Sequence, residues 1–86
     1  MVEREVVVVP QAGLHARPAK EIVKKARSCS SNITIVKGSR EANAQSLMKL
    51  MALGAKKGAM VLVRAEGKDE ETAVAVVAGL ISSEEG

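Results

Sequence analysis

Phenylalanine, tyrosine and tryptophan are absent from all 86 residues. RNA-binding sheets and single-strand grooves rely on aromatic stacking platforms, so the absence argues against nucleic-acid binding. It also leaves the core to Val, Leu, Ile, Met and Ala. Cysteine occurs once, at Cys29. No internal disulfide can form, which fits a reducing cytoplasm. Long apolar runs are missing too. The longest, Ala73 to Ile81, falls far short of the ~20 residues of a membrane span. Met1-Val2-Glu3-Arg4-Glu5 is charged and lacks the basic start and apolar segment of a signal peptide. A soluble cytoplasmic protein is expected, with no membrane partner. Charge imbalance is slight, thirteen Lys and Arg against ten Asp and Glu for a net +3, too mild to imply nucleic acid. A chain of this length is expected to form a single domain, residues 1–86, with a modest core.

Histidine is equally scarce, and its one occurrence organises the chain. His15 stands in Gly13-Leu14-His15-Ala16-Arg17-Pro18-Ala19, between a strand-like and a helix-like run. Proline has no N–H to donate and its ring clashes deeper in a helix, so Pro18 belongs to a first helical turn. That puts His15 at or beside the N-cap, next to the free N–H groups of Ala16 and Arg17. A helix N-terminus favours an anion, and Arg17 adds a fixed cation. A lone histidine before a helix is most often a surface residue or an indifferent cap. Proline in the first turn, the neighbouring arginine and a basic stripe shift the reading toward a phosphoryl site. Cys29 and His15 do not make up a zinc ligand set, and no Ser or Cys has an evident partner base for a hydrolytic triad.

Along the chain, Val6–Val9 is β-branched and reads as a strand, with Val2 as an alternative start. Ala16, Ala19, Ile22, Val23 and Ala26 recur at helical spacing. Arg17, Lys20, Lys24 and Arg27 recur at steps of three and four along one flank. A charge run is usually a solvated helix face, but this one starts beside His15, which favours docking. Ser28 to Asn32 breaks the helix. Ile33–Lys37 reads as a second strand, Lys37-Gly38-Ser39-Arg40 as a hairpin turn, and Glu41–Asn43 as a short third strand. Ser46 is the expected N-cap of a short helix, Leu47–Leu53, ended by Gly54. After the Lys56-Lys57-Gly58 loop, Met60–Ala65 reads as a fourth strand. Asp69 is the expected N-cap of a last helix running from Glu70 to about Ser82, with Glu70 and Glu71 well placed in its first turn. Val74, Val76 and Val77 make a strand arguable there and Gly79 weakens a helix, but the cap and the length decide for helix. The order βαββαβα, with one tight hairpin, suggests an antiparallel sheet covered by helices on one face.

Two motifs now stand at a fixed distance: Gly-Leu-His-Ala-Arg-Pro-Ala at 13–19 and Asn-Ala-Gln-Ser-Leu-Met-Lys-Leu-Met at 43–51. Together, in a chain of this length and element order, they resemble the histidine-containing phosphocarrier family, HPr, of the bacterial sugar phosphotransferase system. The resemblance implies an α+β open-faced β-sandwich, a four-stranded antiparallel sheet with three helices on one face. It implies a monomeric carrier rather than an enzyme, needing no cofactor or metal. His15 would take a phosphoryl group from Enzyme I charged by phosphoenolpyruvate and pass it to an enzyme IIA domain, with Arg17 stabilising the group in transit. Ser46 would be the site of an ATP-dependent HPr serine kinase/phosphorylase, with a catabolite-control transcription factor as a further partner.

The docking face implied by the family comprises Lys20, Lys24 and Arg27 with Leu47, Met48, Lys49 and Met51. A short amphipathic helix buries one face only. Leu47, Leu50 and Leu53 are the candidates for that face, whereas Met48 beside Lys49 falls off it as an exposed, flexible contact. The chain departs from the family at Ala12, where many members have a polar side chain for the phosphoryl group. It departs again at Lys20, where a small residue is commoner, and at Ile22 and Cys29, which replace familiar aromatics.

Overall fold

The computed structural model describes residues 1–9 and 16–83, with the backbone alone for residues 16–18. The chain runs β1 (Val2–Val7), α1 (Ala16–Ser28), β2 (Asn32–Lys37), β3 (Arg40–Asn43), α2 (Leu47–Ala52), β4 (Met60–Glu66) and α3 (Glu70–Ser82). The four strands make one antiparallel sheet in the order β1-β4-β2-β3.

Alternation along the strands decides which side is covered, because successive side chains point to opposite faces. On β4, Val61, Val63 and Ala65 are buried, and Ile33 and Ile35 of β2 and Ala42 of β3 lie in register beside them. The helices cover this side. α1 contributes Ala19, Ile22, Val23 and Ala26, α2 contributes Leu50, and α3 contributes Ala73, Val74, Val77, Ala78 and Ile81. The expected core is therefore present, and it is wholly aliphatic. Ile22 is fully buried in it, and Cys29 packs half-buried at its edge.

The elements start and stop near the expected positions, for local reasons. α2 ends one residue short of the expected Leu53, which serves as its C-cap. Gly54 then takes a left-handed φ of 68°, a conformation that side chains resist. The first strand is shifted relative to the valine run. It begins at Val2, and Val8 and Val9 leave the ladder. Val8 N donates to Ala59 O, and Val9 N turns to Ile81 O at the end of α3. Glu3, Arg4 and Glu5 are tolerated because β1 is an edge strand with its charged side chains in water.

One expectation is corrected. Asp69 does occupy the N-cap position of α3, but its side chain caps nothing. The carboxylate reaches back to the α1–β2 loop, where it accepts from Ser31 Oγ and, at 2.9 Å, from Ser30 N. Two donors presented together by a neighbouring loop outcompete the helix's own N–H groups. At the same junction Gly67 (φ 152°) lies so close that a Cβ there would fall 2.7 Å from Ser31 Cα. Glycine lets the β4–α3 turn approach Ser31, and Asp69 then ties the two loops together.

This tie carries a pH dependence. The Ser31 hydroxyl, and then the Ser30 N–H, hold the Asp69 carboxyl below the ordinary carboxylate range. Such a group adds stability that is fully present above its unfolded pKa and is lost as pH falls through the lower folded value. The melting temperature is therefore expected to fall on acidification below about pH 4. Asp69→Asn should flatten that fall, since its amide takes up no proton over this range. An unchanged acid limb in the variant's thermal melts would remove Asp69 as its source.

Candidate functional site

The site is assembled where α1 meets α2. Pro18 is tolerated in the first turn of α1, which opens at Ala16, as the sequence predicts. His15 precedes that turn, and its placement at the N-cap lies outside the described residues, as does Ala12. Arg17 is described only as part of the same turn.

Further along α1, the exposed Lys20, Lys24 and Arg27 lie on one flank and Val23 lies at its base. Leu47, the first residue of α2, faces them. These five residues line an open cleft of about 300 Å³ with an apolar floor and a cationic rim. Among the described residues no carboxylate pairs with Lys20, Lys24, Arg27 or Lys49; the side-chain ion pair present, Arg64 with Glu3, belongs to the sheet. The rim's charge is therefore free to meet a partner.

The far end of the cleft is fixed by the segment leading into α2. Asn43 turns the chain: its Oδ1 accepts from Gln45 N at 2.8 Å and its carbonyl from Ser46 N at 2.9 Å. Gln45 then joins this turn to α1. Its carbonyl accepts from Arg27 Nη2, and its own Nε2 donates to Ala26 O, both at 3.5 Å. Ser46 is the N-cap, as expected, with Oγ accepting from Lys49 N at 3.3 Å. It is half-buried, and so are Leu47 and Met51, which pack against the core. Met48 is 79 % exposed and stands free of the core beside the exposed Lys49.

The structure thus brings together Lys20, Lys24, Arg27 and Leu47 in one cleft. Two contributors were not singled out from the sequence. Helical spacing marks Val23 only as a core position, and Gln45 carries no signal of its own inside its motif. Helical spacing gives Val23's side but not that it sits at the core's margin. Nothing in the local sequence announces Gln45's bridge to α1, which is a tertiary contact. Among the described residues no cluster of three or more His, Cys, Asp or Glu side chains is placed to hold a metal ion, and no helix is long and apolar enough to cross a membrane.

Comparison with known proteins gives this arrangement a family. Residues 2–83 match the family model described as the PTS HPr component phosphorylation site. The phosphocarrier protein HPr of Borreliella burgdorferi is 42% identical over 83 residues, covering 96% of each chain. The crystal structure of HPr-C-His from Thermoanaerobacter tengcongensis superposes with a TM-score of 0.90 at 41% identity, covering 94% of this chain and 91% of that one. A second structure from that organism, an HPr dimer, is 45% identical with a TM-score of 0.73, covering 80% of this chain and 79% of its own. Fold, motifs and relatives agree, and the chain belongs to the HPr family, phosphocarriers of the phosphotransferase system rather than enzymes.

Proposed function

We propose that His15 is the carrier. It accepts a phosphoryl group from Enzyme I, charged by phosphoenolpyruvate, and hands it to sugar-specific enzyme IIA domains in the cytoplasm. An unprotonated ring nitrogen attacks phosphorus as the bond to Enzyme I breaks, and the reverse exchange delivers the group to the next acceptor. Imidazole suits this role because it is nucleophilic near neutrality, where it is substantially unprotonated. Arg17 and the N–H groups opening α1 stabilise the charge spread over the equatorial oxygens without covalent chemistry.

The observation that carries the reading is the cleft along α1, apolar at its floor and rimmed by cations that pair with no carboxylate among the described residues. A carrier that meets several partners briefly needs such a surface. Small apolar area limits residence, and uncompensated charge speeds encounter with acidic faces. Lys20, Lys24, Arg27, Leu47, Met48, Lys49 and Met51 form this docking face, and the carrier meets each partner as a monomer. The test is to incubate the chain with labelled phosphoenolpyruvate, Enzyme I and a IIA domain. Label should pass through the chain to the IIA domain, and absence of label on the chain overturns the reading.

Ser46 is the regulatory site, modified by an HPr serine kinase/phosphorylase and read in turn by a catabolite-control transcription factor. As the N-cap of α2, it holds a phosphate where the first turn tolerates negative charge, so the fold is kept. The same phosphate adds about −1.5 to −2 charges to the cationic face. Ser46→Asp is expected to raise the Enzyme I KM for this protein, with circular dichroism and melting temperature near wild type. Added salt should narrow the difference, since screening weakens attraction and repulsion alike. Equal KM values at low salt would show that no electrostatic switch operates.

A further inference from the structure

The uncovered face of the sheet does not look like one designed only for water. An antiparallel sheet with one open face normally alternates apolar inward and polar outward. Here the outward positions of one end form an apolar row across three strands: Val7 pairs with Met60, and Leu62 pairs with Val36. Met60 is 55 % exposed and Val7 42 %, with Leu62 and Val36 half-buried beside them. The row is bracketed by carboxylates, because Leu62 has Glu5 on its β1 side and Val36 has Glu41 on its β3 side. Both are exposed and neither is in an ion pair with another described residue.

The two broad faces of the molecule are thus opposites. The helical face is apolar with a cationic rim, and the sheet face is apolar with an acidic rim. Like charge disfavours either face meeting itself, whereas helical face against sheet face matches in both charge and apolar content. We infer that the open sheet face docks the α1–α2 face of a second copy of this chain, head to tail. The whole protein measures 32 × 28 × 20 Å. One face therefore offers little more than the ~800 Å² per partner of a standard stable interface, and the apolar row is only part of it. The association is weak and grows with concentration. A head-to-tail contact leaves one free face at each end, so short open chains form rather than a closed dimer. Each contact covers one cleft, and a concentrated pool masks part of its own docking surface. The contact itself does not depend on which residue carries phosphate.

Two variants, each substituted only at exposed positions, test this. One has its helical face disabled by Lys20→Gln, Lys24→Gln and Met48→Ser. The other has its sheet face disabled by Glu5→Gln, Glu41→Gln and Met60→Ser. Circular dichroism checks that both fold, and association is followed by sedimentation velocity at low salt up to millimolar protein. Wild type should sediment faster as concentration rises and revert to monomer in about 0.5 M salt. Each variant alone should remain monomeric, and their equimolar mixture should form a one-to-one dimer that cannot extend. Wild type that is monomeric throughout, a variant that still self-associates, or a mixture that stays monomeric each overturns the head-to-tail contact. The phosphotransfer assay is separate and fails or succeeds independently of these outcomes.

Discussion

His15→Ala is expected to accept no label from phosphoenolpyruvate and Enzyme I, while wild type acquires an acid-labile, alkali-stable adduct. The loss should be complete rather than graded, because alanine leaves no nitrogen at the helix start to take the phosphoryl group. The aliphatic core is supplied by the sheet and the three helices, so melting temperature should hardly move. Label retained by the variant would place the carrier elsewhere. Arg17→Ala provides the graded companion. With the nucleophile kept and one charge-assisted contact removed, transfer should slow at least ~10-fold, the scale of a lost charged hydrogen bond. An unchanged transfer rate would exclude Arg17 from the site.

The largest stability loss is expected from Ile35→Ala. Ile35 is fully buried at the middle of β2, between Val63 of β4 and Ala42 of β3. With no Phe, Tyr or Trp in the chain, neighbouring Val and Ala side chains are short and poorly able to close the void. Truncation should cost about 2–5 kcal/mol, against about 0.5–1.5 kcal/mol for Ile35→Val. Domains are stable by roughly 0.05–0.15 kcal/mol per residue, so the alanine variant loses a large share of the total. Urea midpoints of the two variants measure this. Equal midpoints for alanine and valine would show that the core relaxes around position 35.

Much of this architecture was legible from local signals. Proline in a first turn marked the start of α1, helical spacing gave the buried side of α1, and Ser46 and Gly54 bounded α2. These are contests between neighbouring residues, and neighbours are what a sequence displays. Asp69 shows where that stops. It satisfied every local criterion for a cap, yet Ser30 and Ser31, distant in sequence, offered its carboxylate better donors. The same holds for the site: the cationic flank of α1 was legible, but Gln45's bridge to Ala26 and Arg27 was not. Even the valine run misled by a few residues, since the ladder of β1 is set by its partner strand.

That partner strand governs the order in which the molecule can be finished. β2 and β3 meet across a tight turn and can pair as soon as both exist. β4, inserted between β1 and β2, comes much later in the chain, and Val2 has no sheet neighbour until Ala65 arrives. Until then Ile33 and Ile35 lack their β4 neighbours, and β1 has nothing to join. Closing such distant contacts is entropically slow, so the domain has to fold in one late cooperative step rather than strand by strand as it is synthesised. During synthesis, the interval before β4 emerges is when the nascent chain is most open to proteases and mispairing.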